Sequence, residues 1–182
     1  MKIGVISDTH GSVYYFDKAM EVLNDCEVII HAGDILNHGP RNIIPKGYEP
    51  KELFEKLNQT KNLIIAKGNC DSDVDQMVID HPIQNSYVFS QFENKRIITT
   101  HGYIDSKEEM IKRAKSLRGD ILIFGHTHVK ELYFDDNLIV LNPGSTTIPK
   151  DKSHSVSIIE IENDSIKINL IDILNKKIIN SL

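Results

Sequence analysis

The stretch that decides the fold is Ile3-Gly4-Val5-Ile6-Ser7-Asp8-Thr9-His10, in which a short apolar run ends at an acid and a histidine. An apolar run of this length, bounded by polar residues, predicts a buried strand. Four further apolar runs along the chain are each followed by a polar residue that could bind a metal ion. Residues 28–30 precede Gly33-Asp34, residues 63–66 precede Gly68-Asn69, residues 96–100 precede His101-Gly102, and residues 121–124 precede Gly125-His126-Thr127-His128.

The segments between these strands carry helical and loop patterns. Helical spacing of apolar residues predicts helices over 12–24, 51–58 and 107–117, the first with Ser12 as its N-cap. Residues 37–50 hold three prolines and two glycines, which predicts a loop. Further strands are predicted at 87–92, 131–134, 138–141, 156–160 and 166–171. This order predicts an α/β protein with sheets flanked by helices, and the length predicts a single domain over residues 1–182.

Composition narrows the function classes. The net charge is −5 and there is no long basic run, which disfavours electrostatic capture of nucleic acid. Only two cysteines are present, Cys26 and Cys70, so no disulfide framework is expected. The first apolar run is too short for a signal peptide, and no segment approaches the run of about 20 apolar residues that spans a bilayer. We expect a cytoplasmic protein without a membrane partner.

The polar residues after the strands form a candidate metal site, because sites in such sheets lie at the carboxyl ends of strands. Two residues apart in an irregular turn, Asp8 and His10 can chelate one ion. The carboxylate of Asp34 can bridge two ions, which a neutral imidazole cannot. The seven predicted metal ligands are Asp8, His10, Asp34, Asn69, His101, His126 and His128.

The mixture of oxygen and nitrogen ligands predicts a pair of divalent ions and argues against structural zinc, which draws on local Cys and His clusters. Mn²⁺ is the first choice, with Zn²⁺, Ni²⁺, Fe²⁺ and Co²⁺ as alternatives. Two ions about 3.5–4 Å apart supply hydroxide near neutral pH and clamp the oxygens of a phosphoric ester. Taken singly, an Asp after a strand is more often a turn residue than a ligand. The remaining histidines lack motif context and are predicted to be structural or surface residues: His31, His81 and His154.

In this order, the five motifs Asp-x-His, Gly-Asp, Gly-Asn, His-Gly and Gly-His-x-His resemble the calcineurin-like metallophosphoesterase superfamily. The resemblance covers nearly the whole chain, and within the superfamily it points to the YfcE-type bacterial phosphodiesterases. Residues 33–42, 68–77 and 142–145 carry that closer similarity. The resemblance implies a two-sheet β-sandwich flanked by helices, with metal ions at the strand ends.

The resemblance also implies how the ligands divide. One ion takes Asp8, His10, Asp34 and His128, and the other takes Asp34, Asn69, His101 and His126. The predicted catalytic residues are Asp34, Asn69 and Asp71.

One position departs from the wider superfamily. Many members have a His after Gly-Asn that helps to protonate the leaving group, and here that residue is Cys70. A thiol has a reference pKa of about 8.5 and suits that role poorly, which disfavours vigorous monoester hydrolysis. For Asp71 we expect either an orienting role or that of an acid.

The loop after Asp34 holds the predicted substrate-binding residues. His38 and Arg41 are placed to contact a substrate phosphate, together with Asn69, and the alternative for His38 and Arg41 is that they only brace the loop. The predicted partner is a small phosphodiester. A homo-oligomer is also considered, because the apolar tail over residues 171–182 can pack either on the core or on a partner subunit.

The sequence therefore predicts a divalent-metal-dependent phosphodiesterase. The alternative within catalysis is a phosphomonoesterase or nucleotide phosphatase. A second alternative is a non-catalytic protein-binding scaffold on the same fold, since the superfamily includes a retromer subunit of that kind; such scaffolds usually show eroded ligands.

Overall fold

The computed structural model describes all 182 residues. Four helices are formed: α1 (Val13–Val22), α2 (Pro50–Gln59), α3 (Asp73–Gln76) and α4 (Lys107–Ser116). The first six strands are β1 (Lys2–Ile6), β2 (Val28–His31), β3 (Leu63–Ile65), β4 (Tyr87–Phe92), β5 (Lys95–Thr100) and β6 (Ile121–Ile123). The last five are β7 (Glu131–Asp135), β8 (Leu138–Asn142), β9 (Ser155–Glu162), β10 (Ser165–Asp172) and β11 (Lys177–Ser181). None of the helices is long and apolar enough to cross a membrane.

The strands form two sheets with parallel centres. One sheet has six strands in the order β11-β10-β9-β1-β2-β3, and the other has five in the order β4-β5-β6-β8-β7. Strands β1, β2 and β3 run parallel to one another, as do β5, β6 and β8. Within each set the carboxyl ends therefore lie at one edge of the sheet, which is where the predicted ligands follow.

The two sheets pack face to face, with helices on their outer faces. In β2, Val28 and Ile30 belong to the core between the sheets, whereas Ile29 points the other way, into a cluster with residues of α1 and α2. On the other sheet, Leu122 of β6 packs outward among residues of α4. Burial on both faces explains the uninterrupted apolar runs of the sequence. The predicted α/β sandwich flanked by helices is confirmed.

Residues at the helix N-termini explain where the helices begin. The side chain of Ser12 accepts a hydrogen bond from the Tyr15 N–H at 3.3 Å, which makes it the predicted N-cap of α1. Helix α2 begins at Pro50, one residue earlier than predicted, because proline at the first helical position loses no hydrogen bond there. The sequence prediction missed α3, since four residues are too few to show a period; its signal was the capping box of Ser72 and Asp75.

The apolar tail adds an edge strand that the prediction did not contain. Strand β11 pairs with β10, and its five residues are all exposed. Before this strand, Ile171 and Ile173 are buried in the cluster that contains residues of α1 and α2, and after it Leu182 packs against the core between the sheets. That residues 1–182 form a single domain stays a prediction, and so does the formation of a homo-oligomer.

Candidate metal centre

The carboxyl ends of five strands bring the predicted ligands to one place. Asp8 and His10 follow β1, Asp34 follows β2, and Asn69 follows β3 in the first sheet. In the second sheet, His101 directly follows β5, and His126 and His128 follow β6. Since the sheets pack with these ends together, segments far apart in sequence meet around two carboxylates.

The carboxylate of Asp8 faces three imidazoles. Its Oδ1 atom lies 3.1 Å from Nε2 of His128, 3.7 Å from Nε2 of His10 and 3.9 Å from Nε2 of His101. The two imidazole nitrogens of His10 and His128 are 3.4 Å apart. Three ligand atoms of different residues thus surround one small volume.

The carboxylate of Asp34 lies between the two sides of the centre. Its Oδ2 atom is 3.3 Å from Nε2 of His101 and 3.8 Å from Nε2 of His10. Its Oδ1 atom accepts a hydrogen bond from the Cys70 N–H at 2.8 Å. One oxygen is therefore held by the backbone, while the other is free to face ligand atoms on both sides.

The remaining two predicted ligands lie at the solvent side. Asn69 and His126 line the same surface cavity as His10 and His128. The ring of His126 is 5.2 Å from that of His101, centroid to centroid. The structure thus brings all seven predicted ligands to one site, five of them within 4 Å of another ligand atom.

Most of the ligand residues adopt a strained backbone. For a residue with a Cβ, the left-handed conformation costs about 1–2 kcal/mol relative to the right-handed one. Such residues cluster where function holds them in place. The ligands with positive φ are Asp8 (56°), His10 (43°), Asp34 (60°), His126 (65°) and His128 (59°).

Backbone carbonyl groups orient three of the histidine rings. A backbone carbonyl can only accept, so each ring donates from Nδ1 and directs Nε2 at the centre. This arrangement is typical of metal-binding histidines. The rings are His10, His101 and His128, and the acceptors are the carbonyl oxygens of Asn37, Ala32 and Ile148, at 2.7, 2.7 and 2.8 Å.

Two buried polar atoms fit a bound cation. Oδ1 of Asp8 and Nε2 of His101 have no hydrogen-bond partner, although both side chains are fully buried. An unsatisfied buried acceptor is costly, and a cation would satisfy it. The other oxygen of Asp8 accepts a hydrogen bond from Ser7 Oγ at 2.6 Å, which orients the carboxylate. Carboxylate, imidazole and amide donors together suit a borderline divalent metal.

Charge coupling within the centre is strong. Burial raises the pKa of the Asp34 carboxyl, but the His101 imidazole and the Cys70 N–H outweigh it and hold that pKa well below its usual range. Burial lowers the pKa of His101, and the carboxylates of Asp34 and Asp8 reverse this and raise it to about 9. Metal binding at this histidine would therefore displace a proton.

Two glycines leave room for the ligand carboxylates. A Cβ on Gly125 would lie 2.0 Å from Ser7 Oγ and 2.9 Å from Asp8 Oδ2. A Cβ on Gly68 would lie 2.2 Å from Asp34 Oδ1 and 2.3 Å from the Asp34 backbone nitrogen. Contacts this short force a shift, so glycine precedes Asn69 and His126 for steric reasons.

Gly68→Ala should weaken Mn²⁺ binding by about 10- to 100-fold, the range seen when groups that orient metal ligands are disturbed. The added methyl group collides with Asp34 and moves its carboxylate. Titration calorimetry on metal-stripped protein measures the affinity. Gly119→Ala is the matched control, because its Cβ meets only the side chain of Ile98 at such short range. Equal affinities in the two variants would contradict the steric role of Gly68.

The buried His31 connects two of the loops that carry metal ligands. Nδ1 of His31 accepts from the Gly33 N–H at 3.0 Å, so Nε2 carries the proton and donates to Thr9 Oγ1 at 2.9 Å. The Thr9 hydroxyl in turn donates to the Ile35 carbonyl at 3.0 Å. This chain ties the loop after β1 to the loop after β2, which agrees with the structural role predicted for His31.

Burial lowers the pKa of His31 to about 3. The unfolded chain binds this proton near pH 6.5 and the folded protein does not, so the free energy of unfolding falls as the pH drops from 6.5 towards 3. Between pH 6.5 and 4.5, metal-free wild type should lose about 2 kcal/mol more stability than His31→Gln. Urea unfolding at each pH measures this, and parallel pH profiles for the two proteins would rule it out.

Asp71 orients the loops that hold the ligands. Its Oδ2 accepts from the N–H groups of Asp34 (3.0 Å) and Gly68 (2.7 Å), and its Oδ1 accepts from the Ile35 N–H (2.7 Å). The side chain is buried, and burial raises its pKa to about 6. Asp71 is absent from the lining of the cavity, and its three contacts fit the orienting role, which stays a prediction.

Residues at the end of β8 and just after it hold two of the loops that carry ligands, and the first is the loop after β1. Ser145 Oγ donates to the Asp8 carbonyl at 3.0 Å, and Thr147 Oγ1 donates to the Thr9 carbonyl at 2.8 Å. Asn142 Nδ2 donates to the Gly125 carbonyl at 2.9 Å and so holds the loop that carries His126 and His128. Sequence reasoning noted residues 142–145 only as a shared stretch and missed Ser7 and Thr147, because isolated hydroxyl residues carry no pattern.

A cavity of about 570 Å³ opens over the centre. Arg41 lines it, as predicted for a substrate-binding residue, whereas His38 does not: its ring packs edge-on against Tyr48 at 5.2 Å. Lys150 lines it as well, and sequence reasoning missed this residue. The other lining residues are His10, Asp34, Asn37, Gly39, Pro40, Asn42, Asn69, Cys70, His126 and His128.

Comparison with known proteins agrees with this geometry. A family model for the calcineurin-like phosphoesterase superfamily domain matches residues 1–164. The chain is 37% identical to phosphodiesterase YfcE of Escherichia coli K12 over 153 residues, which cover 82% of each protein. It is 32% identical to phosphodiesterase MJ0936 of Methanocaldococcus jannaschii over 152 residues, which cover 79% of this chain and 83% of that protein.

Solved structures agree on the fold. The structure of the phosphoesterase YfcE from E. coli matches with a TM-score of 0.86 at 32% identity, covering 100% of this chain and 98% of that one. Vacuolar protein sorting 29 from Cryptosporidium parvum shares the fold at a TM-score of 0.74 and 22% identity, covering 100% of this chain and 95% of that one. Since the family model spans most of the sequence and a relative is 37% identical over four fifths of it, the chain belongs to the calcineurin-like phosphoesterase superfamily, a group of hydrolases that act on phosphoric esters.

Proposed function

We propose that the protein is a divalent-metal-dependent phosphodiesterase with two ions in its active site. The observation that carries this proposal is the convergence of seven oxygen and nitrogen ligands around two buried carboxylates. When bound, the two ions would supply hydroxide near neutral pH and stabilise the charge that develops on the phosphoryl oxygens. Mn²⁺ is the first choice of metal, and Zn²⁺, Ni²⁺, Fe²⁺ and Co²⁺ are alternatives.

The ligands would divide into two sets that share Asp34. Asp8, His10 and His128 form one side together with Asp34, and their mutual distances of 3.1 and 3.7 Å support a common ion. Asn69, His101 and His126 form the other side. The Oδ2 atom of Asp34 lies within 4 Å of one histidine from each set, which is the position of a bridging ligand.

The preference for diesters rests on Cys70. Burial and the carboxylate of Asp34 raise the pKa of this thiol to about 12, so it would be a poor proton donor to a leaving group. Substrates that depend on such a proton should react slowly, and a monoester with a poor leaving group is one of them. The relatives YfcE and MJ0936 are both phosphodiesterases, which supports the same assignment here.

Arg41 would bind an anionic group of the substrate. Its side chain lines the cavity and makes no ion pair within the protein, so its planar fork of donors is available for a phosphoryl group. His38 would instead brace the loop through its contact with Tyr48. Asn69 lies at the cavity surface and would contact both a metal ion and the substrate.

The test compares bis(p-nitrophenyl) phosphate with p-nitrophenyl phosphate on metal-stripped protein, with and without Mn²⁺. We expect turnover only with the metal, and a kcat/KM for the diester at least about tenfold higher, equivalent to roughly 1.4 kcal/mol. A preference for the monoester would overturn the diester assignment. Absence of turnover with Mn²⁺, Zn²⁺, Ni²⁺ and Co²⁺ alike would overturn the proposal as a whole.

A further inference from the structure

Two cationic side chains stand on the wall of the cavity without a partner. Arg41 comes from the loop after β2, and Lys150 comes from the segment between β8 and β9. Neither side chain takes part in any ion pair or hydrogen bond of the structure, whereas Lys130, near Lys150, pairs with Asp151. The only carboxylate that lines the cavity is that of Asp34, which already belongs to the metal centre.

Both cations belong to segments that are hydrogen-bonded to neighbouring ligands of the metal centre. The loop of Arg41 is tied to His10, whose Nδ1 donates to the Asn37 carbonyl at 2.7 Å. The segment of Lys150 is tied to His128, because the Lys150 N–H donates to the His128 carbonyl at 3.0 Å. The Nε2 atoms of His10 and His128 are 3.4 Å apart, so the two segments are attached to neighbouring ligand residues. We call this the cationic end of the cavity.

The opposite end differs in character. There Asn69 and His126 line the cavity, and the partly exposed ring of Tyr103 lies 6.5 Å from that of His126. At the cationic end the neighbours are the amides of Asn37 and Asn42 and the ring of Pro40, and no Phe, Tyr or Trp lines the cavity. That end offers charge and hydrogen bonds, and it offers a nucleobase no Phe, Tyr or Trp ring on which to stack.

We infer that the substrate is a small phosphodiester with a second anionic group, a carboxylate or a phosphate, on the arm that lies over the cationic end, where Arg41 and Lys150 bind it. This inference rests on the proposed phosphodiesterase function and names its substrate class. A diester phosphate carries one negative charge, which the metal centre would hold. A second anion beside two unpaired cations gains charge-assisted hydrogen bonds that an uncharged arm cannot form.

The charge distribution of the chain favours a small molecule over a nucleic acid. A polynucleotide would bring many phosphates to a protein whose net charge is −5. Two cations at one end of a cavity suit one extra anionic group. Both side chains are exposed to solvent, so the attraction should weaken as ionic strength rises.

The experiment uses two synthetic diesters with the same leaving group. One is p-nitrophenyl carboxymethyl phosphate and the other is p-nitrophenyl carbamoylmethyl phosphate, which differ by one negative charge. With Mn²⁺-loaded protein at low salt, we expect kcat/KM to be about tenfold higher for the carboxylate, a factor that corresponds to roughly 1.4 kcal/mol. In the double variant Arg41→Gln/Lys150→Gln this ratio should fall close to one. Lys112→Gln makes the same change of charge on α4, away from the cavity, and should keep the wild-type ratio.

Two further substrates sharpen the result. A diester with a phosphonate in place of the carboxylate tells which anion is preferred, and the p-nitrophenyl ester of thymidine 5′-monophosphate carries a nucleoside arm instead. Equal kcat/KM for the carboxylate and the carbamoyl compound in wild type would overturn the inference alone. So would a ratio that is unchanged in the double variant, or a nucleoside ester that is the best substrate. No turnover of any of these compounds would overturn the proposed function and this inference with it.

Discussion

Asp34→Ala should abolish metal-dependent hydrolysis of bis(p-nitrophenyl) phosphate, with kcat/KM lowered by more than about 10²-fold. Replacing a residue that only supports a metal ligand already lowers metal affinity or activity by about 10- to 100-fold, and Asp34 is itself a proposed ligand. The Oδ2 atom of Asp34 lies 3.8 Å from His10 of one proposed ligand set and 3.3 Å from His101 of the other. Its loss should remove at least one ion from each chain, and elemental analysis after dialysis measures that directly.

Two further variants make this result specific. Asp34→Asn keeps an oxygen that can accept from the Cys70 N–H but removes the charge, so it separates loop support from metal binding. Asp73→Ala removes a fully exposed carboxylate three residues beyond Cys70 and should leave metal content and rate unchanged. If Asp34→Ala retained both ions and a rate within threefold of wild type, Asp34 would not be the bridging ligand.

Cys70→His should raise the monoesterase activity of the protein. Imidazole has a reference pKa near 6.5 and can donate a proton to a leaving group near neutral pH, whereas burial raises the pKa of the Cys70 thiol to about 12. Cys70 lines the cavity and is only half-buried, so a larger ring can project towards the substrate. General acid catalysis contributes about 10²–10⁴-fold, and we expect a gain at the lower end of that range.

The measurement compares phenyl phosphate with p-nitrophenyl phosphate, because the poorer leaving group depends more on the added proton. The gain of Cys70→His should therefore be larger on phenyl phosphate. Cys70→Ser, which changes the side chain without adding a group that titrates near neutral pH, is the matched control. A serine variant as active as the histidine variant on phenyl phosphate would show that proton donation is not the missing function.

The positions of the ligands could be predicted because they depend on strand ends. Parallel strands place their carboxyl ends at one edge, so the acid, amide and imidazole residues that follow apolar runs were expected to meet. The structure brings Asp8, His101 and His128 together although more than 90 residues separate the first from the second. The apolar runs themselves reflect burial on both faces of each sheet, which a sequence records directly.

Other parts of the site could not be predicted because they depend on contacts between distant loops. The positive φ of His10 and His128 follows from tertiary packing, and the modest enrichment of histidine in this conformation is too weak to predict it. Asp71 acquires its role from three backbone N–H groups in two loops, and Lys150 reaches the cavity because its backbone pairs with His128. The loop after β2 turns Arg41 towards the cavity and His38 towards Tyr48, a choice that their shared polar character leaves open.

The most direct measurement is a titration of metal-stripped protein with Mn²⁺ in which bound metal and hydrolysis of bis(p-nitrophenyl) phosphate are followed together. Two ions that share Asp34 predict that the rate stays low at one equivalent and reaches its maximum when two ions are bound per chain. A maximal rate at one bound ion, or a rate independent of added metal in fully stripped protein, would contradict a dinuclear phosphodiesterase.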